Sequence, residues 1–168
     1  MSVGKTTLVN ALKQLPEFDN YNFATERSKY LNDLGIPLNT DSTLKGQTVF
    51  LAERCAELMQ DDIITDRTII DVMAFTQNAK SIPYQDKDKF IEYAKEFIRE
   101  YDYIFYISPD GLDIEDNGVR ETDEHYRDVI DFTITSFIKK YAYMMKNVET
   151  IKGTTEERIE QILKFTNL

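Results

Sequence analysis

The chain has 168 residues, 42% hydrophobic and 12% aromatic, enough for one sizeable core and too short for two comfortable ones. A formal charge of −10 argues against a binder of long nucleic acid, whose affinity rests on many exposed Lys and Arg, but still allows a small anion in a cleft where a few basic groups converge. No apolar run approaches the roughly 20 residues that span a bilayer, no signal or transit pattern opens the sequence, and Cys55 is the single cysteine, so the reading is a cytoplasmic domain without disulfides or a Cys-based zinc site.

The chain begins MSVGKTTLVN. Gly4, Lys5 and Thr6 match the second half of the phosphate-loop signature G-x-x-x-x-G-K-[ST], whose first glycine would fall just upstream of Met1. Residues 5–14 place Leu8, Val9, Ala11 and Leu12 at helical spacing, so a helix is expected to start at the GKT turn. YNFA at 21–24 reads as a short strand, and 25–35 as a helix stopped by Gly35. After the loop IPLNTD, a helix from about Ser42 to Gln60 carries Leu44, Leu51, Cys55 and Leu58 on one stripe, with Asp41, Ser42 or Thr43 as N-cap and Cys55 as a small buried hydrophobe.

DIITD at 62–66 is an apolar strand ending in an acid. RTIIDVMAFTQNA then reads as a helix, SIPY as a turn and QDKDKFIEYAKEFIRE as an amphipathic helix. YDYIFYISP at 101–109 is the strongest strand, aromatic and β-branched until Pro109. An acidic loop at 110–118 precedes a helix from about Arg120 to Lys146, a strand near VETIKG, and a last helix from Thr154 or Thr155 to Phe165. Strand and helix alternate throughout, the pattern of a single α/β domain over 1–168 with a mainly parallel sheet.

Four stretches carry chemistry. Backbone N–H groups around Gly4, Lys5, Thr6 and Thr7 at a helix N-terminus would cradle a phosphate, with Lys5 on the β and γ oxygens and the Thr6 hydroxyl on Mg2+. Asp66 at a strand tip would hold the same metal, and Arg67 offers a planar fork for an acceptor phosphate or sugar oxygen; the plainer reading is an N-cap acid beside a solvated arginine. Glu26 is either a base facing a substrate hydroxyl or a first-turn helix acid. Arg120 and Arg127 lie seven apart, almost two helical turns, and could close as a lid spanning 109–127, although Glu124 sits at ion-pair spacing from both. His125, the only histidine, reads as a surface residue.

In this order, SVGKTT, ATERSKYLNDLG, DRTIIDVMAFTQ and GVRETDEHYRDVID resemble the P-loop nucleoside and nucleotide kinases over nearly the whole chain. The resemblance is greatest to the branch of deoxynucleoside kinases, thymidylate kinases and ribosylnicotinamide-kinase-like ATP-binding domains. It implies a three-layer α/β/α fold, ATP and Mg2+ as cofactors, and a nucleoside, nucleotide or similar small molecule as acceptor, with homo-oligomers compatible. Lys5, Glu26, Asp66, Arg120 and Arg127 would be catalytic, Gly4, Lys5, Thr6 and Thr7 would bind nucleotide, Glu26 and Arg67 would bind acceptor, and Thr6 and Asp66 the metal. Phe50, Phe75 or Tyr84 could stack on a base. The rivals are a P-loop ATPase and a noncatalytic P-loop-derived binding or assembly protein. The sequence departs from the family in lacking the first glycine and the first strand, which in relatives lies mid-sheet, so the expectation is a chain whose start is incomplete.

Overall fold

The computed structural model describes residues 4–25, 27–108 and 124–168, apart from the side chain of Glu124. Helix α1 (Lys5–Leu12) leads through a 3-10 turn to strand β1 (Asn22–Ala24), then α2 (Ser28–Asp33) and α3 (Leu44–Glu57). Strand β2 (Ile63–Thr65) is followed by α4 (Ile69–Asn78) and α5 (Tyr84–Ala94), then by β3 (Ile104–Ile107). Helix α6 (Glu124–Lys140), strand β4 (Val148–Ile151) and α7 (Thr155–Thr166) complete the order.

Local chemistry sets these boundaries. Thr43 caps α3 by accepting from Gly46 N–H at 3.1 Å, which selects one of the three expected caps and starts the helix later than Ser42. Thr68 and Asp71 form a capping box at α4, and Thr154 and Glu157 another at α7. Gly35 ends the second helical stretch at φ 81°, a conformation that costs glycine little. The expected continuous helix over 85–100 stops at Ala94 and tightens into a 3-10 turn over Lys95–Glu100; the long helix expected to reach Lys146 ends at Lys140, followed by a 3-10 turn at Ala142–Met144.

All strand pairs are parallel. β1 pairs β2, with Phe23 opposite Ile64, and β3 pairs β4, with Phe105 opposite Glu149. Among the described residues the two pairs are separate sheets, so the single sheet expected from alternation is divided between β2 and β3. Strands contribute alternately to two cores, as the two-residue strand period requires. On one face Leu8, Leu12 and Phe18 pack with Ile107, Ile151 and Ile162, bringing α1 against α7. On the other, α3 to α6 bury Leu51, Ile69, Met73, Ile98, Ile130 and Ile134. Helices thus cover both faces of a parallel α/β layer, the three-layer arrangement expected from the sequence.

The α3 stripe differs from its expected membership. Leu44 is exposed and Cys55 and Leu58 are half-buried, while Gln47, Leu51 and Arg54 at spacings of four and three form the buried line. Burial also raises the Cys55 thiol above its ordinary range, in keeping with a packing role.

Candidate functional site

Gly4 precedes α1 with φ 73° and ψ 17°, and a Cβ there would lie 3.2 Å from Arg158 Nη1. Glycine therefore suits the site both by its left-handed backbone and by the close approach of a buried arginine from α7. No side chain caps α1, so the amides of its first turn face outward without a covering oxygen from their own helix terminus. Lys5 is half-buried at this end, and Thr7 is exposed.

Thr6 connects this helix start to the end of β2. Its hydroxyl donates to Asp66 Oδ2 at 2.6 Å, a short bond of the kind made to a charged acceptor. Asp66 is 2% exposed, and its Oδ1 is buried with no hydrogen-bond partner among the described residues. Its backbone is fixed from both sides: the N–H donates to Ala24 C=O at 2.8 Å, and the C=O accepts from Arg54 Nη1 at 3.3 Å. Arg54 is itself buried and donates to Glu57 at 2.6 Å. Burial raises the Glu57 carboxyl above its ordinary value, and the Arg54 charge partly opposes that rise.

Arg67 follows at φ 102°, a strained conformation for a residue with a side chain. Its guanidinium lies 5.2 Å from the Phe75 ring centroid and 4.0 Å from Asp71, while Thr65 Oγ1 donates to its carbonyl at 2.9 Å. Behind it, Ile69 N–H at the start of α4 donates to the buried Tyr101 hydroxyl at 3.2 Å. These contacts hold the arginine through its backbone, one aromatic face and one acid.

Lys5, Asp66, Arg67, Thr68 and Asp71 all line one cavity of about 570 Å³ that opens between the two sheets. Their charges suit a phosphate ester with a divalent cation. Among the described residues no group of three His, Cys, Asp or Glu could hold a metal alone. One orphaned carboxylate oxygen beside a hydroxyl is nevertheless a fitting protein share for Mg2+, which keeps waters and takes substrate phosphates as ligands.

Of the residues expected from sequence, Gly4, Lys5, Thr6, Asp66 and Arg67 therefore converge. Glu26, Arg120 and the lid over 109–123 lie outside the described residues, so only Arg127 represents the lid. It sits on α6, 3.7 Å from Asp128, and does not line the cavity. Phe75 packs under Arg67, while Phe50 joins the core and Tyr84 is exposed, so stacking positions differ among the three aromatic candidates. His125 is exposed, as expected. Sequence reasoning missed Arg54, Glu57, Asp71 and Arg158. For Arg54 the available signal was a charge placed on the same helical line as Gln47, Leu51 and Leu58; Arg158 carried no such signal, because its neighbour Gly4 is remote in sequence.

No helix among the described residues is long and apolar enough to cross a membrane. A family profile described as an AAA domain matches residues 1–158. The chain belongs to this family, and the class is a P-loop NTPase-like nucleotide-binding domain. Comparison with curated proteins and with solved structures found no match.

Proposed function

We propose that the protein is an ATP- and Mg2+-dependent phosphotransferase acting on a nucleoside, nucleotide or similar small molecule. The observation that carries this reading is the direct Thr6–Asp66 bond, which places the GKT turn beside the acid ending β2. Lys5 and the first-turn amides of α1 would bind the β and γ phosphates, and Thr6 and Asp66 would hold Mg2+, which supplies charge neutralisation when bound. Gly4 and Thr7 would complete the phosphate cradle through their backbones.

Arg67 favours transfer to an acceptor over transfer to water. A strained backbone costs about 1–3 kcal/mol and persists where surrounding structure fixes it, and here the strain directs a guanidinium beside the metal acid. Such a fork binds an acceptor phosphate or hydroxyl in one orientation. Glu26 would take the acceptor's proton or orient its hydroxyl, while Arg120 and Arg127 would approach the transferring group from the lid.

Titration calorimetry with ATP and Mg2+, followed by a coupled assay over a panel of nucleosides and nucleotides, tests the proposal. Mg2+-dependent ATP binding and phosphorylation of one acceptor class are expected. ATP turnover unchanged by every acceptor would instead identify an ATPase, and Mg2+-independent partner binding unaffected by Lys5→Ala would identify a noncatalytic assembly protein.

A further inference from the structure

The divided sheet leaves two strand edges facing one cavity. In β1–β2, Asn22 N–H donates to Asp62 C=O at 2.7 Å and Asp66 N–H to Ala24 C=O at 2.8 Å. Residues 62, 64 and 66 thus direct their backbone groups to β1, and strand alternation turns those of Ile63 and Thr65 the other way. In β3–β4, Ile104 N–H donates to Asn147 C=O at 2.9 Å, so Ile104 and Tyr106 face β4 while Phe105 and Ile107 face away. Ile63, Thr65, Phe105 and Ile107 all line the 570 Å³ cavity, whereas no residue of β1 or β4 does.

We propose that this cavity is a strand-acceptor groove, filled by one extended segment joined to this same chain on the N-terminal side of Gly4. The groove dictates the segment's chemistry. Leu8 and Leu12 close one face and Ile134 and Ile138 the other, so both sets of alternating side chains meet apolar surface and the segment is continuously aliphatic and β-branched. With β2 three residues long and β3 four, four to five residues are enough to pair both edges, about 13–17 Å of strand.

Charge and connectivity fix its direction. Asp61 and Asp62 precede β2, and Glu100 and Asp102 precede β3; all four line the same cavity, making that end acidic. One or two Lys or Arg therefore precede the aliphatic run. At the other end Thr6 is bonded to Asp66, so a segment leaving beside Asp66 turns through Gly4 into α1 and runs parallel to β2. A separate peptide or a second copy would have to thread its end past the start of α1, whereas a joined segment continues directly into it.

Amide hydrogen exchange, read without nucleotide and so independent of any kinase activity, tests this. The full chain is compared with a form extended at its N-terminus by Lys-Lys-Ile-Val-Ile-Ile and with a control extended by Lys-Lys-Ser-Asn-Ser-Asn. In the aliphatic form the amides of Ile63, Thr65, Phe105 and Ile107 are expected to exchange at least ~100-fold more slowly than in the unextended chain, with a raised Tm and no slowing in the control. Thr65→Pro and Phe105→Pro each remove a groove-facing N–H while sparing the bonds to β1 or β4, and each should abolish most of the gain in Tm. Unchanged exchange at the four amides, or an aliphatic extension that unfolds the chain where the control does not, overturns the groove. Equal protection by a free aliphatic peptide, or concentration-dependent protection in the unextended chain, overturns the joined segment in favour of a separate strand or a second copy.

Discussion

Thr6 donates its hydroxyl to Asp66 across 2.6 Å, tying the first turn of α1 to the residue that ends β2 although 60 positions separate them. Asp66 is buried, so Thr6→Val would strand a carboxylate oxygen with no donor. Such losses cost about 1–3 kcal/mol. Thermal unfolding should show a drop of that size for Thr6→Val and a smaller one for Thr6→Ser, which keeps the donor. Mg2+-dependent nucleotide binding should fall with Val and survive with Ser.

Asp66→Asn separates shape from charge. The amide oxygen can still accept from Thr6 and the backbone bonds to Ala24 and Arg54 are unaffected, so the fold should persist. Removing the carboxylate deprives the metal of its protein charge, and turnover should fall about 10²–10³-fold, the scale of losing one preorganised electrostatic contact. Lys5→Ala should produce a loss of the same order with little change in Tm. Steady-state assay and calorimetry over a Mg2+ series distinguish the two variants: higher Mg2+ partly rescues Asp66→Asn and leaves Lys5→Ala unchanged.

Part of this arrangement was legible from the sequence. GKTT at a helix start, an acid closing an apolar strand and strand–helix alternation are local patterns, and Gly4, Lys5, Thr6, Asp66 and Arg67 converge as those patterns imply. The split between β2 and β3 followed from missing sequence rather than from any residue present, and only the positions of the two remaining edges gave it geometry. Arg54 was missed because a helix charge usually belongs to solvent, whereas this one reaches the Asp66 carbonyl through a bond that hydrophobic periodicity does not encode. Arg158 depends on the contact between the first and last helices, which no local window contains.

The Arg54–Glu57 pair supports Asp66 from behind and should be costly to break. Arg54→Met leaves Glu57 buried beside an apolar chain, a change of about 3–5 kcal/mol in comparable pairs. Arg54→Met combined with Glu57→Leu should recover most of the stability, because the double variant leaves no buried charge. Recovery of Tm without recovery of turnover would identify Arg54 as a positioning residue for Asp66. Denaturant unfolding and the coupled assay on the same three proteins supply both readouts.

Glu57 also gives the fold a definite pH dependence. Burial raises its carboxyl in the folded state above the ordinary value of 4.5, so between those two values the folded chain holds more proton than the unfolded one. Stability from this group is greatest when it is protonated and declines as pH rises from about 4.5 through the folded value, after which the loss is complete. Glu57→Gln has no such proton to lose. The difference in unfolding free energy between Glu57→Gln and the unaltered chain should therefore grow with pH across this window and then level off, measured by urea unfolding at constant ionic strength.

Arg67 offers a trade between stability and activity. Its φ of 102° suits glycine, so Arg67→Gly relieves backbone strain of about 1–3 kcal/mol while losing the contact with Phe75, worth about 0.5–1 kcal/mol. Stability should be unchanged or higher. The acceptor, however, loses its planar cationic fork, and its KM should rise about 10²-fold or more while the KM for ATP changes little. Arg67→Lys keeps the charge and the strain but not the fork, and should recover only part of the acceptor affinity. Thermal unfolding with acceptor and ATP saturation curves on both variants checks the opposed directions. A parallel loss of Tm and of affinity for both substrates in Arg67→Gly would mean that the residue holds the turn after β2 rather than the acceptor.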